Sequence, residues 1–183
     1  MNIASINKWV VGLISVLCLN VAQAQPTDGT CPIKTQSIAI DQGSISYMQG
    51  GSGQTVLLLH GLFGQKEQWT EMACALLKQG FNVIVPDLPG YRQSSAYPIT
   101  IYQLESQVAT LARFMKVVSD KPFHIAGNSM GGAIAALYVN QFSQEVKSLA
   151  FIGAPLGVIS WSDQVRNAIF RGINPFIPID NAQ

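Results

Sequence analysis

Residues 127 to 132 read Gly-Asn-Ser-Met-Gly-Gly, directly after the apolar run Pro122-Phe-His-Ile-Ala126 and directly before the helix-forming run Ala133-Ile-Ala-Ala-Leu137. A serine held between glycines where a strand turns sharply into a helix is presented as a nucleophile. Gly127 and Gly131 lack Cβ atoms, so strand and helix can approach without clash, and Ser129 is expected to project alone above the sheet. A second group of residues could stabilise the charge such a nucleophile creates. Thr55-Val-Leu-Leu-Leu59 ends in His60-Gly61-Leu62-Phe63-Gly64 and leads into a helical stretch starting near Lys66. The backbone N–H of Leu62 can face that of Met130, giving two donors for the oxyanion of an acyl-transfer intermediate. Losing one such donor typically costs roughly 3 kcal/mol of transition-state stabilisation.

A third marker, Asp87-Leu-Pro-Gly-Tyr91, follows the apolar run Phe81-Asn-Val-Ile-Val-Pro86. With the three motifs in this order, the chain resembles the α/β-hydrolase superfamily from about Ile33 to Ala154. The Gly-Asn-Ser-Met-Gly-Gly turn is similar to that of bacterial lipases and esterases, and equally to that of hydrolases that split carbon–carbon bonds in meta-cleavage products. A serine at this position argues against the dehalogenase and epoxide-hydrolase branches, which carry aspartate there. By the resemblance, His60, Gly61, Gly127 and Gly131 support the site, and Asp87 belongs to a structural turn shaping the pocket floor.

The superfamily's chain order of nucleophile, acid and histidine is not completed here. Both histidines of the sequence lie before Ser129. His60 is expected to organise its loop. His124, five residues before the serine on one strand, is expected roughly 16 Å away at ~3.3 Å per residue and reads as a satisfied core histidine. The acidic residues after Ser129 are Glu145, Asp163 and Asp180. Glu145 reads as a solvated surface charge, Asp163 as a helix N-cap and Asp180 as part of a frayed end. None makes a convincing triad acid.

The elements that must position these residues follow from hydrophobic patterning. Gln36–Ile40 and Ser44–Tyr47 predict a hairpin whose Asp41-Gln-Gly43 connection supplies a turn glycine. Four buried-type apolar runs at 55–59, 81–86, 123–127 and 147–153 alternate with helical segments, the pattern of a parallel sheet covered on both faces. Between residues 101 and 118, Leu104, Val108, Leu111, Met115 and Val118 recur at spacings of three and four, predicting one helix face packed on the sheet. Gly131, Gly132, Ala133, Ala135 and Ala136 keep the following helix thin. The expected fold class is α/β, the N-terminal part of a three-layer hydrolase fold with about six of eight strands. With strands running out, the one at 147–153 is expected to be an unpaired edge open to self-association. After Ala154, Trp161, Ile169, Phe170, Ile173, Phe176 and Ile177 mark an apolar segment over 155–183, read either as the start of a cap or as a surface helix.

Met1 to Ala24 carries Lys8, an apolar stretch from Trp9 to Leu19 and Ala22-Gln-Ala24, which together read as a secretory signal peptide preceding a partial core over 25–154. An uncleaved signal anchor is the alternative. Lys8 is the one charge in this segment, so the remainder balances acidic against basic residues. That balance gives no electrostatic case for nucleic acid or an anionic membrane surface. An oxidising compartment would permit a disulfide between Cys31 and Cys74 without requiring one, and Cys74 reads more readily as a small apolar residue on a helix face. No metal cluster, phosphate loop or dinucleotide fingerprint occurs, so no cofactor or metal is expected.

The expectation is therefore an exported serine hydrolase of apolar carboxylic esters, C-terminally truncated and weakly active or inactive without its triad histidine. A carbon–carbon bond hydrolase of the meta-cleavage type and a non-catalytic remnant binding apolar ligands or a partner remain open as alternatives.

Overall fold

Leucine and valine side chains at successive positions of one strand leave the sheet in opposite directions, and this chain uses both. A computed structural model describes residues 31–94, 96–119 and 122–153, with the backbone of 177–178. Residues 1–24, read from the sequence as a signal peptide, lie outside the described residues, as do Asp163, Asp180 and, apart from 177–178, the segment after Gly153. Strand β3 (Thr55–Leu59) is buried throughout. Leu57 and Leu59 join one core with Ile84, Ile125, Leu111, Phe114 and Ile134. Val56 and Leu58 join another on the opposite face with Val83, Val85, Trp69 and Ala73. Each such aliphatic side chain contributes on the order of 2 kcal/mol by leaving water.

The strands are β1 (Lys34–Ile40), β2 (Gly43–Gly50), β3, β4 (Asn82–Pro86), β5 (Phe123–Asn128), β6 (Val146–Ile152) and β7 (Ile177–Pro178). Their order across the sheet is β1-β2-β4-β3-β5-β6-β7. β3 pairs in parallel with β4 and β5, and β5 with β6, while β1 and β2 are antiparallel additions at one side. The helices are α1 (Thr70–Lys78), α2 (Leu104–Val118) and α3 (Met130–Gln141). Ala73 of α1 lies in one core, and the buried faces of α2 and α3 in the other, which makes three layers. Every central strand therefore ends on the same side of the sheet, where β3 delivers His60, β4 delivers Asp87 and β5 delivers Ser129.

Four local expectations are corrected. The hairpin loop has two residues, because Gly43 is already paired with Ile40 in the ladder. The left-handed backbone falls on Asp41 (φ 56°) rather than on the glycine, an aspartate being among the residues that tolerate it. The outer edge of β6 is not bare, since Ser148 and Leu149 pair antiparallel with Pro178 and Ile177. Cys74 is not a free apolar residue of α1; it is bonded to Cys31, with the two Cα atoms 5.4 Å apart. The helix over 101–118 is also broken near its start, where a short 3-10 turn at Ile99–Tyr102 precedes α2.

Candidate active site

Ser129 lies between the last residue of β5 and the first of α3, with φ 49° and ψ −116°. A non-glycine residue at positive φ is strained, and such strain persists only where its surroundings over-determine it. Here the surroundings are backbone. The Ser129 N–H donates to the Ile152 carbonyl at the end of β6 (3.1 Å), and the Asn128 side-chain amide donates to the same oxygen (2.9 Å). A Cβ on Gly127 would stand 2.2 Å from the Gly131 carbonyl oxygen, and one on Gly131 would stand 2.5 Å from the carbonyl oxygens of both Leu59 and His60. Both glycines are thus required for space, because strand and helix pass closer than any side chain permits. Among the described residues the Ser129 hydroxyl has no hydrogen-bond partner.

The loop after β3 is a β-turn closed by Gly64 N–H donating to the Gly61 carbonyl (3.0 Å). Its third position, where glycine is favoured, holds Phe63 at φ 60°. The turn brings Gly61 against the serine: a Cβ on Gly61 would lie 3.2 Å from Ser129 Cβ and 2.9 Å from Asn128 Oδ1. The Leu62 and Met130 amides flank this contact, one following Gly61 and the other following Ser129. Neither N–H has an acceptor among the described residues. Met130 is the first residue of α3, so its N–H is one of the free donors of a helix N-terminus and lies at the positive end of the helix dipole.

His60 is fully buried at the end of β3. Its Nδ1 lies 2.7 Å from the Gly61 carbonyl, and its Nε2 accepts the Leu88 N–H at 2.9 Å. Burial pushes its pKa below the ordinary 6.5, with the Gly61 hydrogen bond and the Asp87 charge opposing that shift. The ring therefore joins the loop after β3 to the loop after β4. Tyr91 packs edge-on against it, 5.5 Å between ring centres, and its hydroxyl reaches Met130 Sδ at 3.5 Å.

Sequence reasoning missed the group that anchors the second loop. The side chains of Lys66 and Asp87 are 1% and 0% exposed, and Lys66 Nζ lies 2.8 Å from Asp87 Oδ2. The same ammonium meets Glu67 at 2.9 Å and Gln93 Oε1 at 3.0 Å, while Lys66 N–H donates to Asp87 Oδ1 at 2.8 Å. Burial disfavours the lysine charge, yet the hydrogen bonds and charges of Asp87 and Glu67 outweigh it and raise the Lys66 pKa. Asp87 was legible as a turn residue; Lys66 was visible only as the start of a helical stretch, because its partner is 21 residues distant. Arg92 completes the anchoring by donating to the carbonyls of Phe63 (2.8 Å) and Gly64 (3.4 Å).

The remaining histidine is where its position in the strand suggested. His124 is half-buried on β5, with Nδ1 2.6 Å from the Ser148 hydroxyl on β6 and its ring edge-on to Phe81. Glu145, expected to be solvated, is instead half-buried and accepts the hydroxyl proton of buried Tyr138 at 2.6 Å. It is committed to holding α3 to the turn that follows.

The family profile described as the alpha/beta hydrolase fold matches residues 54–172, more than half of the chain. The chain belongs to the α/β-hydrolase family. Among its relatives, Lipase 1 of Psychrobacter immobilis is 33% identical over 121 residues, covering 64% of this chain and 38% of the lipase. Lipase 3 of Moraxella sp. (strain TA144) is 36% identical over 99 residues, covering 54% of this chain and 31% of the relative. A solved structure of a membrane phospholipase A, described as a bacterial virulence factor, superposes with a TM-score of 0.64 at 36% identity. That match covers 68% of this chain and 40% of the other. This hydrolase chain thus spans about a third of the length of the curated relatives it matches, and its matched part contains the Ser129 turn, the His60-Gly61 loop and the Asp87 loop together.

Proposed function

We propose that this chain carries the nucleophile and oxyanion-binding part of an exported hydrolase of apolar carboxylic esters. Ser129 attacks the ester carbonyl, and the carbonyl oxygen, as it gains charge, is held by the Leu62 and Met130 amides. The observation that carries the reading is the contact of Gly61 with Ser129. It brings an amide with no acceptor among the described residues, from the loop after β3, beside a strained serine.

The proton of Ser129 needs an acceptor. Neither histidine of the sequence can take it, since His60 has both ring nitrogens occupied by backbone groups and His124 is bonded to Ser148. No histidine follows Ser129 among these 183 residues. Binding and the oxyanion hole alone still accelerate acyl transfer by ~10³–10⁴ over water when triad members are removed.

An apolar acyl group is favoured by the side chains around the serine. Leu62 and Phe63 are 54% and 77% exposed, and Ile152 is also exposed beside the turn. The relatives named lipases are consistent with that preference. Export is supported by the Met1–Ala24 pattern together with the Cys31–Cys74 disulfide, since such bonds persist in oxidising compartments. The test is turnover of p-nitrophenyl butyrate by the full natural chain and by Ser129→Ala. Loss of turnover in the variant supports the reading, and equal turnover in both removes it.

A further inference from the structure

The two amides assigned to the oxyanion hole share a feature beyond their N–H groups. The carbonyl in the same peptide plane as the Leu62 N–H is that of Gly61, and it accepts two hydrogen bonds, from His60 Nδ1 (2.7 Å) and from Gly64 N–H (3.0 Å). The carbonyl in the same plane as the Met130 N–H is that of Ser129. It too accepts two, from Gly132 N–H (3.0 Å) and Ala133 N–H (3.3 Å). In a trans peptide the C=O and N–H point in opposite directions. Donors on the carbonyl therefore stand behind the amide, away from the substrate, where they draw electron density out of the N–H and hold its direction. Hydrogen bonds chained in this way strengthen one another by about 10–30% each.

On the Ser129 side both rear donors are helix backbone. On the Gly61 side one is a side chain, and its protonation is dictated by its partners. A carbonyl oxygen can only accept, so Nδ1 carries the proton; the Leu88 N–H can only donate, so Nε2 carries the lone pair. The two contacts are satisfied together by one neutral tautomer. Protonation of Nε2 would set two donors facing each other. The surroundings hold the ring: Tyr91 stacks edge-on against it, and the nearby charges of Asp87, Lys66 and Arg92 are tied into their own contacts. Because both nitrogens face backbone, His60 does not reach the reacting atoms.

We infer that His60 is a positioning residue of the oxyanion hole: fixed as the Nδ1–H tautomer by the Leu88 amide, it donates to the Gly61 carbonyl and thereby aims and strengthens the Leu62 N–H. The inference rests on the ester-hydrolase reading and deepens it. It sets His60 apart from a residue that merely fills the end of β3, because a filler would need the volume of the ring and neither of its nitrogens.

The experiment compares the full natural chain with His60→Gln and His60→Phe. Each is assayed on p-nitrophenyl butyrate and on the corresponding thiono ester, whose sulfur is a poorer hydrogen-bond acceptor. The Gln amide can accept from Leu88 and donate to Gly61; the Phe ring keeps volume and loses both bonds. Expected for His60→Phe is a fall in kcat of about tenfold at nearly unchanged KM, a fraction of the ~10²–10³ lost when a whole donor is removed. The preference for the oxo over the thiono ester should shrink with it, and His60→Gln should recover most of both. Independently of turnover, the imidazole 15N spectrum at about pH 7, assigned by its difference from His60→Gln, should show Nδ1 protonated. Protonation at Nε2 overturns the inference. So does a His60→Phe protein with unchanged kcat, or one whose loss is the same for oxo and thiono esters. Should His60→Phe fail to fold, the 15N spectrum and His60→Gln still decide. Ser129→Ala separates the two levels: undiminished turnover there removes the hydrolase reading itself, whereas its loss alongside indifferent His60 variants removes this inference alone.

Discussion

Gly61 and Ser129 are in contact distance across the mouth of the sheet, so close that a methyl on Gly61 would stand 3.2 Å from Ser129 Cβ and 2.9 Å from Asn128 Oδ1. The contact sets the spacing between the donor loop and the nucleophile. Gly61→Ala must displace the Asn128 side chain and shift the loop or the serine by a few tenths of an ångström. A displacement near 1 Å at a reacting centre can cost on the order of 10²-fold in rate, and overpacking typically costs about 1–3 kcal/mol of stability. The expected outcome is an acylation rate reduced by at least about tenfold, read as the release of p-nitrophenol in a single turnover.

The buried Lys66–Asp87 pair joins the helical turn after the donor loop to the end of β4. Lys66→Met leaves the Asp87 carboxylate buried without its partner, and breaking such a pair costs roughly 3–5 kcal/mol. The double variant Lys66→Met with Asp87→Leu removes the orphaned charge and should recover a large part of that loss. Urea unfolding of the single and double variants measures both.

The same lysine sets an alkaline limit. Its folded pKa lies above its ordinary 10.5, so the folded state holds the proton more tightly than the unfolded chain. The stabilisation is complete below about 10.5 and is lost as pH rises through the raised folded value. Unfolding midpoints in urea at about pH 8 and about pH 11 should differ, the second being lower, and Lys66→Met should flatten the difference.

The histidines act at the acid side. Burial lowers the folded pKa of both His60 and His124 below 6.5, so the unfolded chain binds protons first as pH falls. Their contribution is intact above about 6.5 and declines as pH drops from there toward the lowered folded values. Stability measured by denaturant should fall across that interval, with a smaller slope in His60→Gln.

The Cys31–Cys74 bond closes a loop of 43 residues between the chain before β1 and helix α1. Chain entropy alone assigns such a closure up to about 4 kcal/mol, and measured bonds commonly give about 2–4. Cys74→Ser should lower the unfolding free energy in that range. Reductant should have the same effect on the natural chain and none on the variant.

Much of this arrangement was legible in the order of residues. The apolar runs marked β3 to β6 because each is short, bounded and buried, and the glycines around Ser129 were readable because close backbone approach leaves no alternative residue. What was not legible depended on distance along the chain. Nothing local distinguishes Lys66 from a solvated lysine until Asp87 is brought beside it. Glu145 likewise looks like an ordinary surface charge until the Tyr138 hydroxyl, from the last turn of α3, is found pointing at it. Asp41 carries the positive φ of the turn, and the expected turn glycine Gly43 is in the ladder, because the pairing extends one pair further than alternation alone indicated. The cysteine pair was open for the same reason: two thiols 43 residues apart carry no signal of proximity.

Whether Ser129 is an activated nucleophile is decided by intact-mass analysis of the full natural chain after exposure to a fluorophosphonate, followed by peptide mapping. One adduct is expected, on the peptide containing Ser129, absent from Ser129→Ala and slowed in Gly61→Ala. An unmodified protein, or an adduct on a different residue that persists in Ser129→Ala, would contradict that role.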